Sequence, residues 1–147
     1  VKLQETKPGC GAASICNAIE SLGGHQYQEV VMTIAGGTGQ DGIPPKSIMK
    51  TLDTLGYDAE PVVYLVPGRA AEALRRFLHK GFPVIMCVDN DEHWVCAIGV
   101  LGSRFLVADP ADAELVLSYD PEKLTTRWKN KTKKPYYGIV VSPKGNP

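Results

Sequence analysis

No stretch of this sequence approaches the roughly 18 consecutive apolar residues of a membrane-crossing helix, so it contains no candidate membrane segment. Charge of one sign is not in excess either. Lys plus Arg and Asp plus Glu stand at 16 each. A nucleic-acid binder would show a basic surplus, and none is present. Cysteine is sparse, with four residues at positions 10, 16, 87 and 96 of 147. No two of them form a C-x-x-C pair, and the three histidines are scattered, which removes the usual framework for a structural metal. A chain neither short nor rich in Cys is expected to keep free thiols in a reducing, cytoplasmic site of action. Internal repeats and low-complexity segments are missing, and nothing calls for a cofactor. There is also no initiator Met and no leader pattern. The chain opens at Val1, nine residues before its first Cys, and reads as one domain, 1–147, excised from a longer protein.

With 44% hydrophobic and 22% charged residues, the composition is that of a globular domain. The spacing of Ala12, Ile15, Ile19 and Leu22 predicts a helix starting near Cys10 and ending at Gly23-Gly24. Residues 28–35 form a short helix or strand, followed by a glycine-rich loop from Gly36 to Gly42. Pro44-Pro45 opens a helix with Ile48, Leu52 and Leu55 on its apolar face and Gly56 as its stop. Residues 60–66 read as extended, and 69–80 as a helix closed by Gly81. The second half then turns to strands: Pro83–Val88, His93–Val100, Arg104–Ala108, Glu114–Tyr119 and Tyr136–Ser142, with a short helix from Asp120-Pro121 to Trp128. Helices leading and antiparallel strands following give an α+β class. The Lys129–Lys134 run reads as a solvated loop before the last strand.

Cys10 lies in Pro8-Gly9-Cys10-Gly11-Ala12-Ala13, a turn running into a helix. A helix N-terminus lowers a thiol pKa, and the thiolate is the attacking form. Gly9 and Gly11 would leave room for a substrate backbone beside the sulfur. A small buried core Cys fits the same segment. Cys16, Cys87 and Cys96 lie in apolar runs and read as core. His93 starts a strand directly after Asp89-Asn90-Asp91-Glu92, at the rim where a general base would stand; an ordinary surface His fits equally. Asp109 adds a geometric test. His93 and Asp109 lie symmetrically about Leu101, so an antiparallel pair turning at 101–103 would face one to the other within a residue or so. That carboxylate would fix the imidazole tautomer and leave its other nitrogen for the thiol. Asp89, Asp91 and Asp112 compete for the role. Gln4, six positions before Cys10, would supply a side-chain amide to an oxyanion.

In this order and spacing the chain resembles the C39 peptidases and C39-like domains, a branch of the papain-like cysteine peptidases. The resemblance rests on Gln4 through Cys10-Gly11, on Gly81-Phe82-Pro83-Val84, on His93-Trp94-Val95 and on Asp109-Pro110. Gly42-Ile43-Pro44-Pro45 and Leu55-Gly56-Tyr57 fit as well. Gly9 stands where the family usually has Asp. The resemblance implies a papain-like fold, with N-terminal helices packed on a C-terminal antiparallel sheet. It implies a cysteine endopeptidase with Cys10, His93 and Asp109 as triad, Gln4 in the oxyanion hole, and Gly9, Gly11 and Trp94 along the substrate. The family includes peptidase domains of exporters that cut leader peptides after Gly-Gly. Related papain-like domains act as antibacterial effectors delivered by secretion systems and paired with an immunity protein.

Other readings remain open at this stage. The same triad can perform transglutamination or deamidation, and a C39-like domain can bind peptide without cutting. Gly37-Thr38-Gly39-Gln40-Asp41-Gly42 also satisfies the G-x-G-x-x-G of dinucleotide sites. Pro44-Pro45 speaks against that, since two amide donors are removed where pyrophosphate would bind.

Overall fold

A computed structural model describes residues 9–36, 42–112 and 114–145 of the chain. Three helices come first: α1 (Cys10–Ser21), α2 (Gln28–Ala35) and α3 (Pro45–Thr54). Strand β1 (Tyr57–Tyr64) and helix α4 (Pro67–His79) lead to a meander of β2 (Val84–Val88), β3 (His93–Leu101), β4 (Arg104–Ala108) and β5 (Val116–Tyr119). Helix α5 (Pro121–Trp128) and strand β6 (Tyr136–Pro143) close the chain. The local chemistry sets the boundaries. Proline occupies the first turn of α3, α4 and α5, where its fixed φ suits a helix start and no N–H is lost. The Asp120 carboxylate caps α5 by accepting from the Lys123 N–H at 2.8 Å. Gly36, at φ +69°, ends α2 in the left-handed region.

The six strands form one antiparallel sheet in the order β1-β6-β2-β3-β4-β5. Helices cover both faces. On one side α1, α2 and α3 pack on Ile85, Cys87, Trp94, Cys96, Ile139 and Val141. On the other, α4 and α5 pack on Val84, Met86, Val95, Ala97, Phe105 and Val107. Burial on both faces explains why β2 is apolar at every position rather than alternating. α1 departs from the expected one-sided stripe: every residue from Cys10 to Ile19 is buried, because the helix lies between the sheet and the other two helices of its layer.

The structure decides one alternative left open by the sequence and moves the starts of two strands. Residues 28–35 are helical, so no strand precedes the glycine-rich loop and the dinucleotide reading loses its strand–loop–helix unit. β1 starts at Tyr57 rather than 60, because its partner β6 pairs along its full length, from Tyr57↔Pro143 to Tyr64↔Tyr136. β5 starts at Val116 rather than 114, because Leu115 has φ +68° and breaks the extended run.

The turn joining β2 to β3 is unusual. Asp89, Asn90 and Asp91 all have positive φ, at 55°, 58° and 70°. Asp and Asn tolerate this region better than other non-glycine residues, yet three in succession need support from outside. Asn130 supplies it. This residue is 2% exposed and accepts from the Asp91 N–H, while its amide donates to the carbonyls of Cys87 and Trp128 at 3.0 and 3.1 Å. The solvated-loop expectation for Lys129–Lys134 therefore holds for its exposed lysines and fails for Asn130. Asn130→Ala leaves several buried backbone groups without partners and is expected to cost about 3 kcal/mol. Urea denaturation checks this, and a change under about 1 kcal/mol would contradict the clamp.

Candidate active site

α1 and β3 position the first two groups. Cys10 is the first residue of α1, after Gly9 as N-cap, so its sulfur lies at the positive end of the helix dipole. One turn later the buried Ser14 hydroxyl donates to the Trp94 carbonyl at 3.1 Å. That bond ties the start of α1 to the start of β3 and so sets Cys10 beside His93. The imidazole and the thiol lie close enough for each to act on the titration of the other. His93 Nε2 is 2.7 Å from Asp109 Oδ1, which leaves Nδ1 as the ring nitrogen for the sulfur.

Asp109 is brought to His93 by a sheet irregularity. β3 and β4 pair as Leu101↔Arg104, Val100↔Phe105 and Gly99↔Leu106, then shift to Ala97↔Val107 and Cys96↔Ala108, with Ile98 as the extra residue. Carried on unbroken, the first register would place Asp109 across from Cys96, whose side chain belongs to the opposite face from that of His93. The bulge moves Asp109 one place along, across from Val95, so it shares a face with His93 and meets it diagonally. The two residues are thus not directly opposed, as symmetry about Leu101 suggested, and a diagonal side-chain contact joins them instead.

Asp109 is 4% exposed, and both its oxygens are engaged. Oδ1 also accepts from the Ala111 N–H at 3.0 Å, and Oδ2 accepts from Arg127 Nη1 at 2.8 Å. The competing carboxylates have other partners. Asp112 accepts from the Glu114 N–H at 2.9 Å. Asp91 accepts from the Cys87 thiol at 2.9 Å. Asp89 is paired with Arg127, at 2.9 and 2.8 Å.

These contacts shift the titrations in a consistent sense. Burial opposes charge on Cys10, but the hydrogen bond from His93 and the backbone groups of Trp94 and Gly11 outweigh it and lower the thiol pKa. Burial likewise opposes charge on His93, yet hydrogen bonds to Asp109 and Cys10 and their negative charges push its pKa up to about 9. Burial raises the Asp109 carboxyl, and His93, the Ala111 N–H and Arg127 together bring it well below the usual carboxylate range. Both shifts favour the thiolate–imidazolium pair over the neutral pair. Cys87 and Cys96 move the other way, pushed up by burial.

The remaining expected residues fall as follows. Gln4 lies outside the described residues. Gly9 and Gly11 are both buried, and a Cβ on Gly11 would stand 3.3 Å from the Ile43 Cβ, so the loop before α3 packs closely on Gly11. Trp94 is 8% exposed and set edge-on to Tyr137, with ring centroids 6.3 Å apart; it is a wall of the core behind His93. A cavity of about 310 Å³ is lined by Pro45, Asp91, Thr132, Lys133, Lys134 and Tyr137. Among the described residues no three His, Cys, Asp or Glu side chains are placed to hold a metal ion. Ser14, Arg127 and Asn130 were not legible as site residues. A lone Arg in the last turn of a helix ordinarily serves the helix dipole, and nothing local marks its partner 18 residues away.

No family model and no curated protein matches the chain. Solved structures do match its fold. The peptidase domain of Streptococcus ComA, a bifunctional ABC transporter involved in quorum sensing, superposes with a TM-score of 0.76 at 15% identity, covering 97% of each chain. A double glycine motif protease from an AMS/PCAT transporter, solved with its leader peptide, gives 0.76 at 21% identity over 98% of this chain and 91% of that one. The N-terminal C39-like peptidase domain of a toxin secretion ATP-binding protein from Vibrio parahaemolyticus gives 0.65 at 10% identity over 92% and 97%. The chain therefore has the papain-like fold of C39 peptidase domains. No described helix is long and apolar enough to cross a membrane.

Iodoacetamide treatment of the native protein at about pH 6 is expected to label Cys10 and spare Cys16, Cys87 and Cys96. His93→Ala is expected to slow that labelling by at least about tenfold. Mass spectrometry of digests reads both, and equal labelling of all four thiols would contradict the ion pair.

Proposed function

We propose that the protein is a cysteine endopeptidase that cuts a peptide or protein substrate, after a Gly-Gly pair, with Cys10 as nucleophile, His93 as acid and base, and Asp109 as the group orienting His93. The observation that carries the reading is the chain of contacts from the Cys10 thiol through the imidazole to the buried Asp109 carboxylate, 2.7 Å from His93 Nε2. Sulfur, ring and carboxylate come from three different elements, and the shifts point to a thiolate beside an imidazolium. A structural core Cys needs neither.

Acyl transfer follows from this arrangement. The Cys10 thiolate attacks the scissile carbonyl carbon and forms a C–S bond, and the carbonyl electron pair moves to oxygen. The Cys10 backbone N–H, at the start of α1, and the Gln4 amide receive that oxyanion. As the tetrahedral species collapses, the His93 imidazolium donates its proton to the departing amine. A thioester on Cys10 remains. Neutral His93 then takes a proton from water, the hydroxide adds to the thioester, and the thiolate leaves with the carboxylic product released. Asp109 keeps its charge throughout and holds the ring.

The Gly-Gly preference draws its support from the double glycine motif protease, whose structure holds its leader peptide. Leader processing is the setting favoured by the transporter-borne neighbours; delivery as an effector countered by an immunity protein is the alternative. Either way the protein acts where thiols stay reduced, in keeping with its four free cysteines.

Incubation with a Gly-Gly-containing leader peptide is expected to give two fragments, read by mass spectrometry. A crosslink, or a gain of about one dalton, would instead mean transamidation or deamidation. Cys10→Ala is expected to abolish cleavage with the fold intact by circular dichroism. Asp109→Ala should lower kcat/KM by about 10²–10⁴-fold, and Asp112→Ala by less than about twofold. Equal effects of the two would overturn Asp109 as the orienting group.

A further inference from the structure

Arg127 stands between two carboxylates that the chain brings from distant places. Its Nη1 donates to Asp109 Oδ2 at 2.8 Å and to the Tyr119 hydroxyl at 2.9 Å. Its Nε and Nη2 form a two-pronged pair with Asp89, at 2.9 and 2.8 Å. Arg127 sits in the last turn of α5, Asp89 in the β2–β3 turn that leads into His93, and Asp109 just past β4. The guanidinium is thus a rigid plate joining the turn that carries the imidazole to the carboxylate that orients it. A backbone contact reinforces the join: the Asp89 N–H donates to the Arg127 carbonyl at 3.2 Å. The side chain of Arg127 is about one-fifth exposed, and that of Asp109 only 6%.

Charge alone does not account for this geometry. A positive group near an imidazolium repels it, so a cation placed here merely as a charge would make His93 easier to deprotonate. The fork does something else. Asp109 Oδ2 has no other hydrogen-bond partner among the described residues; Oδ1 serves His93 and Ala111. Without Arg127 the carboxylate has one oxygen buried and unpaired, a costly state that it relieves by rotating away from the ring or by taking up a proton.

We propose that Arg127 is a positioning residue for the reaction: it holds Asp109 Oδ2 so that Oδ1 points at His93, and Asp89 in turn holds Arg127. This rests on the peptidase reading for its consequence in turnover, while its effect on His93 is measured without any substrate. Lysine cannot replace the fork, because a single ammonium lacks the planar, divergent donors that reach both carboxylates. The charged and titratable groups acting on His93 are Cys10 from α1, Asp89 from the β2–β3 turn and Asp109 from the β4–β5 turn. Arg127 from α5 and the Tyr119 hydroxyl from β5 act through the carboxylates.

The test is the titration of His93 by NMR in ¹⁵N-histidine-labelled protein, comparing the parent with Arg127→Met, Arg127→Lys and Asp89→Asn. The expected result is that Arg127→Met lowers the His93 midpoint by at least about one unit, a tenfold change in its proton affinity. Arg127→Lys should restore only part of this, and Asp89→Asn should cause a smaller fall of the same sign. A midpoint that rises or stays put in Arg127→Met, or full restoration by Lys, would show a charge effect or a purely structural role and overturn the proposal. If Arg127→Met does not fold, Arg127→Lys and Asp89→Asn decide by the same criteria. With a cleaved peptide in hand, kcat should fall about tenfold in Arg127→Met while KM holds, since Arg127 acts through Asp109. A parent protein that shows the NMR result and cuts nothing would refute the peptidase reading and leave the positioning role standing.

Discussion

The buried carboxylate of Asp109 is the contact on which the rest of the site depends. A charge 4% exposed persists only where hydrogen bonds and an opposite charge replace water, and here three groups do so: His93, the Ala111 N–H and Arg127. Each comes from a different part of the chain. The β4–β5 turn supplies Ala111, β3 supplies His93 and α5 supplies Arg127. Satisfying one carboxylate therefore fixes the relative placement of three elements. It also sets the imidazole tautomer, with Nε2 toward the carboxylate and Nδ1 toward the thiol. The Cys10 thiol, in turn, has its pKa lowered by His93 against the opposing effect of burial.

Sheet register is what makes this possible. A single extra residue, Ile98, decides which face Asp109 occupies, because side chains alternate along a strand. Deleting that residue would send the carboxylate to the α1 side of the sheet. The bulge thus acts as a placement device for the Asp109 carboxylate. The adjoining turn shows the same economy: three left-handed residues in a row, Asp89 to Asp91, are held by Asn130 from the segment after α5. Fold stability and site geometry share these contacts, so a substitution at Asn130 affects both.

Much of the fold was legible in the sequence, because its signals are local. Proline at helix starts, glycine at their ends, and an unbroken apolar run for a doubly covered strand each have one short-range cause. The contact between His93 and Asp109 was legible in outline as well. A rim His and an Asp-Pro after the next strand leave few other arrangements of a meander. The bulge was not legible. Nothing in Ala97-Ile98-Gly99 separates a bulged strand from a regular one, and the symmetry argument centred the turn on Leu101, whereas the Leu101↔Arg104 pair centres it between Gly102 and Ser103. Arg127 and Asn130 were missed for a related reason, since their partners are fixed by tertiary packing. The lysines around Asn130 made its segment look uniformly solvated. Gly11 and Trp94, read from the sequence as substrate contacts, pack on Ile43 and Tyr137. Sequence identity of 10–21% to structures of the same fold fits this division: the arrangement of elements persists while the side chains supporting it differ.

The proposed chemistry requires a Cys10 thiolate at neutral pH, held there by a charged His93 beside it. The most direct measurement is the ultraviolet thiolate band, taken as the difference between the protein and its Cys10→Ala variant across a pH titration. The account predicts that the band persists well below the pKa of an ordinary thiol, about 8.5, and moves back toward that value in His93→Ala. A band that appears only above about pH 8 in the parent protein, unchanged by His93→Ala, would contradict it.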